Sequence, residues 1–501
     1  MLRPCALLSV LLVSCSTLST ESPQAARAPN FPDAIARIER ADPHSPALLS
    51  ARLSYAEFLV DADMQPCQPR LDLARAQFDR VAANPRLAIM FPDGWARLAD
   101  LEYQLHIARA ECLGAQGGDA EQRAALESAR RTEALYRQSF DYRAAVVMHY
   151  NRAVLLHQLG ESGDLQALEE TLAMDREFGF ADDARENYPL LLTWQGRPAD
   201  DAHVAALMQD FPKRQAQLKF AWHAGDARIT IEDDRDSLWG SGISRSRAAA
   251  TYLRRIVARA GGGWTVSYTP VPGQYRPGVW PSAAGAQTGT TVFAPARLAA
   301  PDFQVGADGA FGGTLGAEAY SAQLIAQTDE LIRAGAPATA DAAERTREAL
   351  QTVDVAFSSG LLVAQAAEEY QLQTSMWAGA MLDQGIWYRL EAPLSLHGLP
   401  RLVVQQQLEF AFTRLVPCTA DAPEPACVEL VVRTTPDEAA VARIIKHYAS
   451  SSATRFVMDP KTLLTYSREE RLYWYGSVGD GPRDNILQSE HLIATTAYAA
   501  H

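Results

Sequence analysis

The chain has 501 residues, 48% of them hydrophobic and 21% charged, with a formal net charge of −14. That length allows roughly two to four domains, and the acidic balance argues against nucleic acid or an anionic membrane surface as the main partner. Of the 46 basic residues only four are lysines (213, 219, 446 and 461), a bias that reads as GC-rich codon usage rather than function.

The chain opens with Arg3 and an apolar run from Ala6 to Val13. The run suits a signal-peptide core and is too short to span a bilayer. It leads into Leu12-Val13-Ser14-Cys15, which resembles the lipobox of bacterial lipoproteins. The resemblance implies that residues 1–14 are a lipoprotein signal peptide and that cleavage falls between Ser14 and Cys15. Cys15 would carry the acyl chains, so a membrane is the first expected partner. Each buried CH₂ contributes about 0.8 kcal/mol to such an anchor. Ser16 stands where an inner-membrane signal has aspartate, which in these families implies the outer membrane of the bacterial envelope, facing the periplasm. Residues 15–30 are small, polar and Pro-containing and read as a lipidated, flexible tether. No later stretch offers eighteen uncharged apolar residues.

Residues 31–215 are helical by period. Ala47–Val60 and Leu71–Ala83 space apolar side chains three and four apart, and further helices fit Trp95–Leu113 and Asp119–Phe140. Ala74, Phe78 and Val81 followed by Pro85 resemble the second helix of a tetratricopeptide repeat, and Tyr150–Glu170 fits the repeat loosely. Met64–Arg70 and Pro92-Asp93-Gly94 break a strict period, so the array is degenerate. The resemblance implies a concave groove for a protein or peptide partner; an ordinary helical bundle is the alternative.

Residues 216–501 read as a β-rich α+β domain, with a possible sub-boundary near 335–350. Gln217–Trp222 and Ala227–Glu232 read as a hairpin, Ser244–Arg259 as a helix and Ala319–Arg333 as another. The Pro- and Gly-rich stretch Val271–Gly289 reads as a long loop. Strand-like runs follow at Thr352–Val363, Gln371–Leu382, Ile386–Leu396, Leu402–Val416 and Val428–Thr434. A helix is predicted over Asp437–Tyr448, then strands at Thr454–Met458, Tyr466–Ser477 and Leu487–Tyr498, the last two joined by a Gly-Asp-Gly-Pro turn. The expected fold class is multidomain: an N-terminal α-hairpin array, then a largely antiparallel sheet with a few helices on one face.

With Cys5 in the signal and Cys15 lipidated, four cysteines remain for an oxidising compartment. Cys418 and Cys427 flank a Pro-rich loop between strands and suit a local disulfide; by elimination Cys67 pairs with Cys112. A metal site is the alternative, though no C-x-x-C occurs. His149 and His157 are eight apart, too far for joint ligation on a helix, and read as groove or surface residues. Glu232-Asp233-Asp234-Arg235-Asp236 lacks the glycine of a calcium loop and reads as a solvated turn. Gly309, Gly312, Gly313 and Gly316 have no accompanying lysine for a P-loop. No G-x-S-x-G or H-E-x-x-H occurs, and Glu368-Glu369 and Glu469-Glu470 sit in exposed-looking contexts. Trp377, Trp387, Tyr473 and Trp474 read as core, or as the lining of a cup if the sheet stays open.

No cofactor and no catalytic residue is therefore expected. The first expectation is a protein-binding scaffold lipoprotein. The second is a carrier of lipid or another apolar ligand in the C-terminal sheet. An envelope enzyme ranks last.

Overall fold

The computed structural model describes residues 30–41, 46–62, 66–84, 94–114, 117–239, 242–271, 276–277, 301–335, 358–396, 399–422, 424–437, 441, 448–477 and 485–498. The lipobox with Cys15, the tether up to residue 29, Pro85, residues 278–300, the region 336–357, most of 437–448 and the Gly-Asp-Gly-Pro turn lie outside them.

The N-terminal part is a stack of short helices: α1 Phe31–Ala41, α2 Pro46–Asp61, α3 Cys67–Ala82, α4 Gly94–Leu113, α5 Gly118–Gln138, α6 Tyr142–Leu159, α7 Asp164–Phe178, α8 Ala181–Trp194 and α9 Asp201–Gln209. Each packs chiefly on the next in the chain, the one-dimensional contact pattern of an array. The apolar period explains the packing: Leu49, Leu53, Ala56 and Leu59 of α2 meet Leu71, Ala74, Phe78 and Val81 of α3 in one cluster. The helices end on local chemistry. Asp141 caps α6 by accepting from the Ala144 amide at 3.2 Å, and Gly160 closes the same helix at φ 63°, a conformation glycine adopts without strain. A disulfide joins Cys67 at the start of α3 to Cys112 near the end of α4.

The second part is a large, mostly antiparallel sheet of twelve strands: β2 Gly225–Trp239, β3 Gly242–Ala258, β4 Trp264–Pro270, β5 Arg276–Pro277, β6 Phe303–Val305, β7 Phe311–Thr314, β9 Trp387–Leu396, β10 Leu399–Val416, β11 Cys427–Pro436, β12 Ala449–Met458, β13 Thr465–Ser477 and β14 Asn485–Tyr498. The path runs β7-β6-β4-β3-β2-β14-β13-β12-β11-β10-β9, with β5 on β3. A separate pair is formed by β1 Gln215–Gln217 and β8 Met381–Asp383. Helix α10 is Ala317–Gly335, α11 is Ser359–Gln373, and a 3₁₀ turn spans Ser375–Trp377. Cys418 and Cys427 are bonded across the β10–β11 connection. Replacing both by serine closes no loop in the unfolded chain and is expected to cost about 2 kcal/mol, read as a lower urea midpoint. An unchanged midpoint would show that the bridge is mechanically idle.

Several local expectations are corrected. Residues 244–258 belong to strand β3, not a helix: Tyr252, Arg254 and Ile256 are buried while Leu253, Arg255 and Val257 are exposed, a clean period of two. No hairpin joins 217–222 to 227–232, because β1 pairs with residues 381–383 instead. The strand-like run over 359–363 and 371–373 is helix α11, with Leu361, Leu362, Ala366 and Tyr370 on its buried side. The acidic cluster at 232–236 lies mid-strand in β2 and is no turn. Its members alternate between faces, so Asp233 is buried while Glu232 is exposed.

The array meets one face of the sheet at two places: Tyr473 of β13 and Leu487 of β14 join the α2–α4 cluster, and a second contact forms a rim near β11 and β12. The turns α5–α6 and α7–α8 bring Phe140, Tyr142, Phe178 and Phe180 against Val431 and Ala453. Arginines from the strands stack on these rings: Arg414 over Tyr142 and Phe178, Arg455 and Arg471 over Phe140, and Arg433 over Trp387. Backbones touch at Gly179 and Gly385, where a Cβ on Gly385 would fall 2.7 Å from the Gly179 carbonyl oxygen. Beneath this rim lies Glu429, fully buried, accepting from Thr413 Oγ1 at 2.8 Å and facing Arg414 and Arg455 at 3.3 and 3.5 Å.

Candidate functional site

The opposite face of the sheet curls around helix α11. Three consecutive residues of that helix show this. Glu368 accepts a 3.0 Å hydrogen bond from the Ser395 amide on β9, at one end of the sheet. Glu369 pairs with Arg468 on β13, in the middle. Tyr370 donates at 2.8 Å to the Gly309 carbonyl in the β6–β7 turn, at the other end. Eleven strands laid flat would separate β7 from β9 by roughly 48 Å, beyond the reach of one helix. The sheet is therefore a trough, with its two edge strands unjoined among the described residues and α11 lying inside.

The inner face is apolar over long stretches. On the β9–β12 side Leu394, Leu408, Phe412, Leu430 and Phe456 form one cluster with Trp377. On the β2–β4 side Ile229, Ile231, Ala250, Tyr252, Leu492 and Ala494 form another. A band of buried charge crosses between them: Arg235 with Asp233 and Glu490, and Arg468 with Glu470. In each of these groups arginine faces carboxylate.

A cleft opens between α11 and the β3–β4 flank. It is lined by Trp222, Phe303, Leu362 and Leu463 among apolar residues, with Arg254 and Thr465 among polar ones. Its cavity volume is only about 40 Å³. The cleft is thus narrow, because Ala366 and Tyr370 of α11 occupy the trough.

Arg254 is built into this cleft by cross-strand register. Tyr268, Arg254, Ala227 and Tyr498 form one row across β4, β3, β2 and β14. The small Ala227 lets the guanidinium reach past it to donate to the Tyr498 hydroxyl at 2.7 Å, and Tyr498 in turn donates to the Thr465 carbonyl at 2.9 Å. Arg254 is 7% exposed, and its Nε has no partner among the described residues. Burial opposes its charge, but the Tyr498 and Tyr268 hydroxyls beside it raise its pKa above that of an ordinary arginine. Burial also pushes both tyrosines up, so they remain neutral.

The residues singled out in the sequence lie elsewhere. Cys67 and Cys112 sit in the helical array and Cys418 and Cys427 at a sheet turn. His149 is buried with Glu133 and Arg152, where burial raises the Glu133 carboxyl but His149, Arg137 and Arg152 together hold it low. His157 stacks on Trp194. Gly309 contributes its carbonyl to Tyr370. Trp377 is core and donates to the Leu372 carbonyl at 2.7 Å. Glu369 and Glu470, expected to be exposed, are ion-paired inside the trough. Arg254 itself escaped notice because its strand reads as a helix.

Among the described residues no group of His, Cys, Asp or Glu could hold a metal ion, and no helix is long and apolar enough to cross a membrane. No family model and no curated protein matches the chain. Among solved structures, one described as lipid-protein interactions in lipovitellin is similar at 11% identity and a TM-score of 0.26, covering 56% of this chain. This chain spans about a quarter of that one's length (26%), and a likeness of that size defines neither fold nor ligand.

Proposed function

We propose that the chain is a carrier of a lipid or another apolar ligand, held in the trough between the curled sheet and α11. The carrying observation is that trough: an apolar inner face wrapped around one helix, with its edge strands unjoined among the described residues. A ligand would enter at the cleft and shift α11 outward, with its tail between the helix and the sheet, loosening the polar contacts of Glu368, Glu369 and Tyr370. Such a site needs several hundred Å³ when occupied, which the cleft reaches only with α11 moved aside. In this reading Cys15 tethers the carrier to the envelope membrane, and the helical array braces the outer face of the sheet.

Titration of the purified soluble chain, residues 16–501, with a neutral apolar probe such as oleyl alcohol tests it, Trp222 fluorescence reporting the cleft. Saturable one-to-one binding is expected, together with faster amide exchange in α11. Absence of saturable binding by oleyl alcohol, oleate and lysophosphatidate alike would end the carrier reading. The protein-scaffold reading rests on the consecutive packing of α1–α9.

A further inference from the structure

We propose that Arg254 is the anchor for an anionic headgroup, so that the ligand of the trough is an amphiphile with a carboxylate or phosphate at one end. This rests on the carrier reading and names the ligand class for it. Buried charges in proteins are ordinarily paired or bound to a counter-ion. The neighbouring arginines of the trough obey that rule: Arg235 faces Asp233 and Glu490, and Arg468 faces Glu470 and Glu369. Arg254 does not. It donates to the neutral Tyr498 with the neutral Tyr268 hydroxyl beside it, and no carboxylate lies within ion-pair distance among the described residues. Its Nε is left without an acceptor although the residue is more than nine-tenths buried.

The guanidinium carries donors in a planar fork that matches a carboxylate or phosphate oxygen pair. It lines the cleft together with Thr465 and with Glu369, whose charge is met by Arg468, and Trp222, Phe303, Leu362 and Leu463 supply apolar wall for the chain that follows. The narrow enclosed part of the cleft suits a small headgroup, and the open part suits the start of a tail. The overall charge of −14 opposes an anionic surface, yet a single headgroup in a low-dielectric site responds to the charge beside it.

The test compares oleate, lysophosphatidate and oleyl alcohol on the chain and on two variants, Arg254→Met and Gln365→Glu. Gln365 is exposed on α11 at the cleft, so its replacement adds a repelling charge without touching the buried row. Wild type is expected to prefer an anionic lipid over the alcohol by about tenfold or more, in line with hydrogen bonds to a charged group. Both variants are expected to lose that preference while binding the alcohol unchanged; whether oleate or lysophosphatidate loses more identifies carboxylate or phosphate. Equal binding of all three lipids, or variants that keep the preference, would overturn the headgroup assignment and leave the carrier standing. No binding of any lipid would instead remove the carrier itself. If Arg254→Met fails to fold, Gln365→Glu decides alone.

Discussion

Glu429→Gln is expected to destabilise the protein by about 3 kcal/mol and to loosen the helical array from the sheet. Glu429 is a fully buried carboxylate with Arg414 and Arg455 both directed at it. Glutamine keeps the shape and removes the charge, leaving two part-buried cations side by side. Each arginine retains a second carboxylate, Glu177 for Arg414 and Glu469 for Arg455, which holds the loss near the lower end for a broken buried pair. Urea unfolding gives the size, and a double-mutant cycle with Arg455→Met isolates the coupling. Amide exchange should rise first at the α5–α6 and α7–α8 turns, because Phe140 and Phe178 stack on these same arginines. A loss below about 1 kcal/mol would mean that both cations swing out to water and that Glu429 is not the keystone of this interface.

Asp175→Asn should act in the opposite direction, increasingly as pH rises from about 4 to 7. Asp175 is fully buried in α7; Asn187 donates to its Oδ2 at 3.0 Å, and Oδ1 has no partner among the described residues. Burial pushes its carboxyl up to about 7; Asp183 adds to this, while Asn187 and Arg143 oppose it. The folded protein therefore holds a proton that the unfolded chain, at 3.8, gives up between pH 4 and 7. The stability from this group is full below about pH 4 and is lost as pH rises through 7. Three pKa units correspond to about 4 kcal/mol. Asparagine still accepts from Asn187 and carries no charge at any pH. The variant should match wild type at pH 4 and melt several degrees higher at pH 8. Equal melting temperatures at both pH values would show that Asp175 ionises at its ordinary value.

The helical half was legible because its apolar spacing is local: Leu71, Ala74, Phe78 and Val81 announce α3 without any partner in view. The later strands from β9 onward were legible for the same reason, being rich in Val, Leu and Phe. Residues 244–259 were not. Ala248, Ala249 and Ala250 among arginines favour a helix by propensity. The chain is held extended by β2 and β4 on either side, a constraint that lies in other segments. The period-2 signal was present in Tyr252, Arg254 and Ile256 against Leu253, Arg255 and Val257, but Ala and Arg weaken it. The cleft was hidden with that strand. Its defining feature is an arginine with no carboxylate partner among the described residues, and a missing neighbour leaves no trace in the linear order of residues.

The position of β14 in the sheet sets the order in which the molecule can be completed. It is the last described strand along the chain, yet it sits centrally, with β2 on one side and β13 on the other. Until it arrives, the sheet is two separate halves, and the facing margins of β2 and β13 are open ladders of unmet hydrogen bonds, prone to pairing with other chains. The pairing of β14 with β2 joins residues about 250 to 270 positions apart, such as Ile486 with Trp239 and Tyr498 with Ala227, and such distant closures are slow. A chain threaded through a translocation channel would thus have to release β14 before its trough could exist, and would need shielding through that interval. The last strand acts as a zip, and neither half can shelter a ligand before it closes.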